Sequence, residues 1–245
     1  MATPADTQYL AAIQTWRKQR EESLTADDGW LTVSGLHWLE PGNNTVEGQR
    51  FVLSGRQVTL DGALLKPDVP GPADMITRGD LTLFVIARGG RFAIRVRDKQ
   101  SVLRKQFRGL RWYPVQPEYR VTAKWTPYEK PQPRSIPTVV GIPEEMLAPG
   151  VAEFSLHGQT LRLEPVLDGR RLFFIFKDPT AGRTTYPAGR FLYTDPPVSG
   201  TVILDFNTAY TPPCGFTPYA TCPLPPRVNH LAVVVEAGEM SPPGH

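Results

Sequence analysis

The sequence predicts a mainly β protein with an N-terminal helix, a small β-sandwich near residues 30–110, and a second β-barrel or sandwich over residues 111–245. Three observations carry this expectation. Short runs of β-branched and aromatic residues alternate with Gly-containing turn pairs over most of the chain. Only one stretch shows helical periodicity. The 245 residues include 26 prolines; proline lacks an N–H and fixes φ, which suits turns and strand edges. A chain this long can bury a substantial core without metal or disulfide staples.

The helix comes first, over residues 4–23. Thr3-Pro4 has the pattern of an N-cap followed by proline at the first helical position. Tyr9, Leu10, Ile13 and Trp16 recur at helical spacing, with Arg17, Lys18, Arg20, Glu21 and Glu22 expected on the exposed side. The segment Gly29–Leu39 follows, with Trp30, Trp38 and leucines to build core. His37 lies between apolar neighbours and reads as a structural, hydrogen-bonded histidine.

Short strands are then expected at 51–53, 58–60, 75–77, 81–87 and 92–97. Asp61-Gly62 and Gly89-Gly90 are two-residue hairpin signals. Phe92, Ile94 and Val96 share one strand face; Arg95 and Arg97 share the other. Arg78-Gly79-Asp80 sits where a hairpin turn is due. In the second region, Thr126–Pro137 with its four prolines reads as an extended loop, and strands are expected at 152–156, 160–163, 172–176, 191–193, 201–206 and 231–236. The unbroken apolar run Leu172–Phe176 should be central.

Charge and motifs narrow the function classes. The net charge is +3, too mild to mark a nucleic-acid binder, and nucleic acid is not the expected partner. The run Arg88–Arg111 is strongly basic; it reads either as the solvated face of a strand or as an anion footprint. No apolar run approaches the ~18 residues of a membrane span. The N-terminus shows no basic segment followed by an apolar one, so a cytoplasmic location is expected. No Gly-rich nicotinamide or ATP loop is present, and the cofactor is left unknown.

Chemistry concentrates in two segments. Lys177–Arg190 follows the apolar strand and is rich in hydroxyls, with Asp178 at its start, Thr185 and Tyr186 within it, and Arg190 at its end. Loops at strand ends are where sites are built; the plainer alternative is a structured turn in which Asp178 caps its own backbone. In Thr201–Asn207, a strand would put Ile203, Asp205 and Asn207 on one face. A carboxylate there is costly unless paired, and Arg190 is the first choice of partner for Asp205, with Arg183 second. Asp205, Arg190 and Asp178 are therefore the catalytic candidates. Thr185, Tyr186, Asn207, Tyr210, Asn229 and Glu239 are the ligand-binding candidates.

Cys214 and Cys222 are the two cysteines of the chain. Four readings stand side by side: a small disulfide loop, two inert buried thiols, a metal site completed by His230, Asp205 or Glu239, and a nucleophile paired with His230. Pro212, Pro213, Pro223, Pro225 and Pro226 stiffen this segment.

Several stretches carry a family likeness: Gly29-Trp-Leu, Gly35-Leu-His-Trp-Leu, Asp178, Thr180, Thr185-Tyr186, Arg190-Phe-Leu, Leu204-Asp-Phe-Asn, Pro212-Pro-Cys, Cys222-Pro-Leu-Pro-Pro, Asn229 and Ala237-Gly-Glu. On these the chain resembles DUF1684, a family of bacterial and archaeal proteins of unknown function. Thr211 stands where the family pattern commonly has Asn, and His230 is not part of that pattern. The resemblance implies a fold unit and a site region, and no activity, substrate or cofactor. The expected function is a small-molecule-binding or hydrolytic enzyme domain, its polar cleft built from the 177–190 and 204–229 loops. In it Arg190 holds an anion, Asp205 acts as base or orienter, and Tyr210 and Asn229 supply hydrogen bonds. The alternative is a non-catalytic protein- or nucleic-acid-interaction module using the basic strand face.

Overall fold

The computed structural model describes residues 4–68 and 71–242, so Thr3 and its expected capping role lie outside the described residues. The chain forms two compact units. One comprises the helix as far as Glu22, Gly109–Gly215 and the segment from Thr221 onward; the other comprises Ser23–Arg108 and Phe216–Ala220. The fold is mainly β, and its sheets do not close into a barrel.

Helix α1 spans Pro4–Thr25. Its buried stripe runs through Ile13 and Leu24, but it is more polar than the sequence suggests. Arg17 donates to the Tyr113 carbonyl at 2.9 Å, Arg20 to the Thr211 carbonyl at 2.9 Å, and Glu21 accepts from the Leu110 N–H at 2.8 Å. Arg17, Arg20 and Glu21 therefore lie on the inner face, where long side chains reach backbone groups of Tyr113, Thr211 and Leu110. Trp16 packs edge-on against Trp112, with centroids 5.6 Å apart.

The second unit is a β-sandwich. Strands β1 (Val33–Trp38), β2 (Gly42–Val46), β3 (Gln49–Ser54), β4 (Gln57–Leu60), β5 (Ala63–Leu65), β6 (Ile76–Arg78), β7 (Leu81–Arg88) and β8 (Arg91–Asp98) form two antiparallel sheets, β1-β8-β7-β6 and β2-β3-β4-β5. Their inner faces share one core that includes Phe51, Val58, Leu83, Val85, Phe92, Ile94 and Val96. Both expected hairpin turns form: Asp61 and Gly62 have φ of 49° and 82°, Gly89 and Gly90 of 52° and 81°, the pair of positive φ values a type I′ turn needs. Arg78-Gly79-Asp80 makes the β6–β7 turn. His37 is exposed on β1, although it lies opposite Ile94 on the face that Gly35 and Val96 share. A short helix α2 (Val102–Gln106), not expected from the sequence, closes the unit.

The outer face of β8 also departs from expectation. Arg91, Arg95 and Arg97 lie over the rings of Trp38, Trp30 and Phe84 at 4.8, 5.0 and 4.8 Å. Arg95 is only 5% exposed. Arg95 is thus sealed in a stacked cation–aromatic layer while Arg91 stays exposed at the strand start, because planar guanidinium groups bury well against rings.

The first unit pairs β9 (Arg120–Ile136), β10 (Glu144–Leu156), β11 (Gln159–Leu163) and β15 (Thr201–Asp205) in the order β11-β10-β9-β15, beside a second sheet of β12 (Val166–Asp168), β13 (Arg171–Phe176) and β14 (Arg190–Thr194). One apolar cluster takes residues from both, including Phe154, Leu163, Phe174, Phe176, Leu192, Leu204 and Phe206. Leu172–Phe176 is central, as its apolar run predicts. Strand β9 runs through Pro127, Pro131 and Pro133, where a loop was expected. It pairs with β15 only from Arg120 to Lys124, so its later residues pair with β10 alone, and proline is tolerated on such an edge. Residues 231–236, expected as a strand, are irregular and serve the core through Leu231, Val233 and Val235.

Candidate functional site

Asp178 and Arg190 meet, as β13 ends and β14 begins. Their side chains are each 1% exposed, with Arg190 Nη2 at 2.9 Å from Asp178 Oδ1. Every lobe of the pair is engaged. Asp178 also accepts from the Thr180 hydroxyl at 2.9 Å and the Val235 N–H at 2.8 Å. Arg190 donates to the carbonyls of Val235 and Ala237 and lies over the Phe176 ring. Burial lowers the Arg190 pKa, and Asp178 opposes that shift. Around them the 177–190 segment is a tight turn: Thr180 O accepts from the N–H groups of Arg183, Thr184 and Thr185, and the hydroxyls of Thr180 and Thr185 are 2.8 Å apart. Asp178 thus caps its own turn, and Arg190 is not the partner of Asp205; that expectation is corrected, because the strand pairing Phe176↔Arg190 delivers Arg190 to the start of the 177–190 turn.

Asp205 ends β15, opposite Arg120 of β9 in register. The strand stops there, and Asn207 sits in a short 3-10 turn whose N–H donates to Asp205 Oδ1 at 3.1 Å. Tyr9 of α1 donates to the carboxylate at 2.9 Å, and the Asn207 amide donates both to it at 3.2 Å and to the Gln116 carbonyl at 2.8 Å. Arg120 Nε stands 3.7 Å away. Burial raises the Asp205 carboxyl above its ordinary range, and the hydrogen bonds from Tyr9 and Asn207 pull it back.

The remaining candidates separate. Glu239 is fully buried beside Arg20, at 3.3 Å, and burial raises its carboxyl. Tyr210 packs against Phe191 and beneath Arg20, and burial pushes its phenol up to about 12. Asn229 is 1% exposed; its amide accepts from Glu164 N–H and donates to the Glu164 and Ile175 carbonyls, at 2.8, 2.8 and 3.0 Å. It thereby staples three chain segments. Tyr186 donates to the Cys214 carbonyl at 3.0 Å, and the Cys214 N–H donates to Cys222 Sγ at 3.2 Å. Neither cysteine is joined in a disulfide. Among the described residues no group of three or more His, Cys, Asp or Glu side chains is placed to hold a metal ion.

The 177–190 and 207–229 loops do adjoin, through the backbone bonds Lys177 N–H to Asn229 O and Phe191 N–H to Tyr210 O. They pack against each other. A cleft in this unit lies at the Asp205 end, with a volume of about 500 Å³, lined by Trp16, Arg120, Arg171, Tyr193, Asp195, Asp205 and neighbours. Arg171 stacks on Tyr193 at 4.3 Å, and Tyr193 stacks on Phe173 at 4.6 Å while donating to Asp168 at 2.6 Å. Of the eleven candidate residues, Asp205 alone lines this cleft. Trp16, Arg120, Arg171 and Tyr193 come from four elements with no shared local motif; the one available signal is that Arg171 and Tyr193 sit at the open ends of two runs expected to be strands.

Fold and site define a protein of two β-sandwich units, one with a sealed acid–arginine pair and an arginine-lined cleft. The family described as "Protein of unknown function (DUF1684)" matches residues 105–240, and the chain belongs to that family. A solution NMR structure of an uncharacterized protein from Haloarcula marismortui is 33% identical, covering 58% of this chain and 81% of its own, with a TM-score of 0.49. No curated protein matches the chain.

Proposed function

We propose that the first unit binds a small organic anion with a flat or apolar body in the cleft beside Asp205. The observation that carries this is the joint placement of Arg120 and Arg171 with Trp16 and Tyr193 around about 500 Å³ of open volume, a size and composition suited to a small ligand. The Arg171 guanidinium, laid on the Tyr193 ring, keeps donors free for a carboxylate or phosphate. Asp205 fixes Arg120 from one side. Its oxygens already accept from Tyr9 and Asn207, so its role is to orient.

A panel of aromatic and aliphatic carboxylates, sulfonates and phosphate esters, screened by thermal shift and followed by calorimetry, tests this reading. At least one should raise the Tm of the wild-type chain, and Arg120→Ala with Arg171→Ala should abolish the rise. A panel that shifts neither protein, or shifts both alike, defeats the reading.

A further inference from the structure

Cys214 and Cys222 stand where the chain leaves and re-enters the first unit: Phe216–Ala220 between them belong to the second. Within that unit the Thr217 hydroxyl donates to the Val33 carbonyl at 2.9 Å. Both cysteines are held by their backbones. Cys214 lies in the 3-10 turn Pro213–Gly215, closed by Gly215 N–H to Pro212 O at 2.9 Å. Cys222 accepts at its carbonyl from the Val139 N–H at 3.0 Å. Little space remains around the turn, since a Cβ on Gly215 would meet Thr211 Cγ2 at 2.4 Å and the Tyr186 ring at 3.2 Å. The Cys214 N–H donates to Cys222 Sγ at 3.2 Å, so the Cys222 sulfur rests directly against Cys214 before any oxidation.

We infer that Cys214 and Cys222 form a reversible dithiol–disulfide site, oxidised by hydroperoxides, with Cys214 as the attacking sulfur and Cys222 as the resolving one. Cys214 is half-buried and reachable; Cys222 is 5% exposed. A hydrogen bond from the Cys222 thiol holds the Cys214 thiol below the usual range; burial opposes this, and Tyr186 assists it. The thiolate is the reactive form. Cys214 Sγ attacks one peroxide oxygen: the O–O bond breaks, an S–O bond forms, and the other oxygen leaves as water or alcohol with the proton Cys214 released. Cys222 Sγ then attacks the sulfenic sulfur; the S–O bond breaks, the S–S bond forms, and the hydroxyl departs as water with the Cys222 proton. The peroxide gains the two electrons the thiols lose. The product closes the neck of the Phe216–Ala220 excursion.

The test treats the full chain with equimolar hydrogen peroxide and reads intact mass, peptide mass and peroxide consumption. The wild type should lose two hydrogens, yield a Cys214–Cys222 cross-linked peptide, and recover fully with a dithiol reductant. Cys222→Ala, which keeps the site apolar, should stop at a sulfenic acid that dimedone traps. Cys214→Ser should consume peroxide more than about tenfold slower. Limited alkylation of the untreated wild type gives an independent reading free of folding effects, and Cys214 should label before Cys222. Direct gain of two oxygens without a cross-link, equal rates in the two variants, or first labelling at Cys222 would each overturn the assignment.

Discussion

Asp178 meets Arg190 with 1% of each side chain exposed, whereas Asp205 meets Arg120 with 17% and 50% exposed. Both pairs lie in the same unit and use the same residue types. In the first, every oxygen and most nitrogens are consumed by the Thr180 hydroxyl and the Val235 and Ala237 backbone. In the second, the carboxylate is held on one side by Tyr9 and Asn207, and the arginine stays on a cleft wall. The sealed pair spends its carboxylate and both terminal nitrogens on the surrounding backbone and on each other, so it organises the fold. The open pair can spend its charge on a guest. Acidic and basic residue types therefore do not tell a sealed pair from an open one; the hydrogen-bonding capacity left over does.

Arg190→Ala is the strongest way to sharpen this contrast. It leaves Asp178 buried and uncompensated, and should cost about 3–5 kcal/mol, read by denaturant unfolding. A joint Asp178→Leu, Arg190→Met replacement should cost less than Arg190→Ala alone; an equal or greater loss would break the claim that the unpaired charge is what hurts. Gly238→Ala comes next. Gly238 has a φ of +78°, and an added Cβ would stand 2.4 Å from the Ala209 carbonyl oxygen, so a loss of about 2 kcal/mol is expected from the same measurement.

Two smaller effects probe the open side and its surroundings. Burial raises the carboxyls of Asp205 and Glu239, so the folded chain keeps their protons at a pH where the unfolded chain has released them. Stability from these groups is fully present below the ordinary carboxyl range and is lost as pH rises from that range through the raised values. Glu239→Gln should flatten that slope in a Tm-against-pH series; an unchanged slope would remove Glu239 from the account. Arg171→Ala should shift stability by less than about 0.5 kcal/mol, yet weaken any anion found for the cleft by roughly tenfold or more. A stability loss comparable to that of Arg190→Ala would show that Arg171 is structural after all and erase the distinction.

What was legible in the sequence was local. Asp61-Gly62 and Gly89-Gly90 announced their hairpins because a type I′ turn needs two positive φ values. Leu172–Phe176 announced a central strand because only a strand covered on both faces is apolar without a break. The helix start at Pro4 and the alternation along β8 followed from the same short-range rules. The candidate acids and arginines were also picked out, since burying them is expensive anywhere. Their pairing was not legible. Asp178 and Arg190 are joined by the β13–β14 register, and Asp205 and Arg120 by the β9–β15 register, and register couples residues whose separation in sequence carries no signal. The arginines of β8 misled for a related reason: alternation says which face a side chain takes, and only the rings of Trp38, Trp30 and Phe84 on neighbouring strands and turns decide whether that face is wet.

The sequence by itself thus determined the class of fold, most of its turns and strands, and the family. Tertiary structure alone decided which acid met which arginine, which of those pairs was sealed, and that a cleft opened among Trp16, Arg120, Arg171 and Tyr193. The physical reason is range: backbone dihedral preference and side-chain alternation act over a few residues, whereas burial and hydrogen-bond satisfaction are settled by neighbours brought together from across the chain.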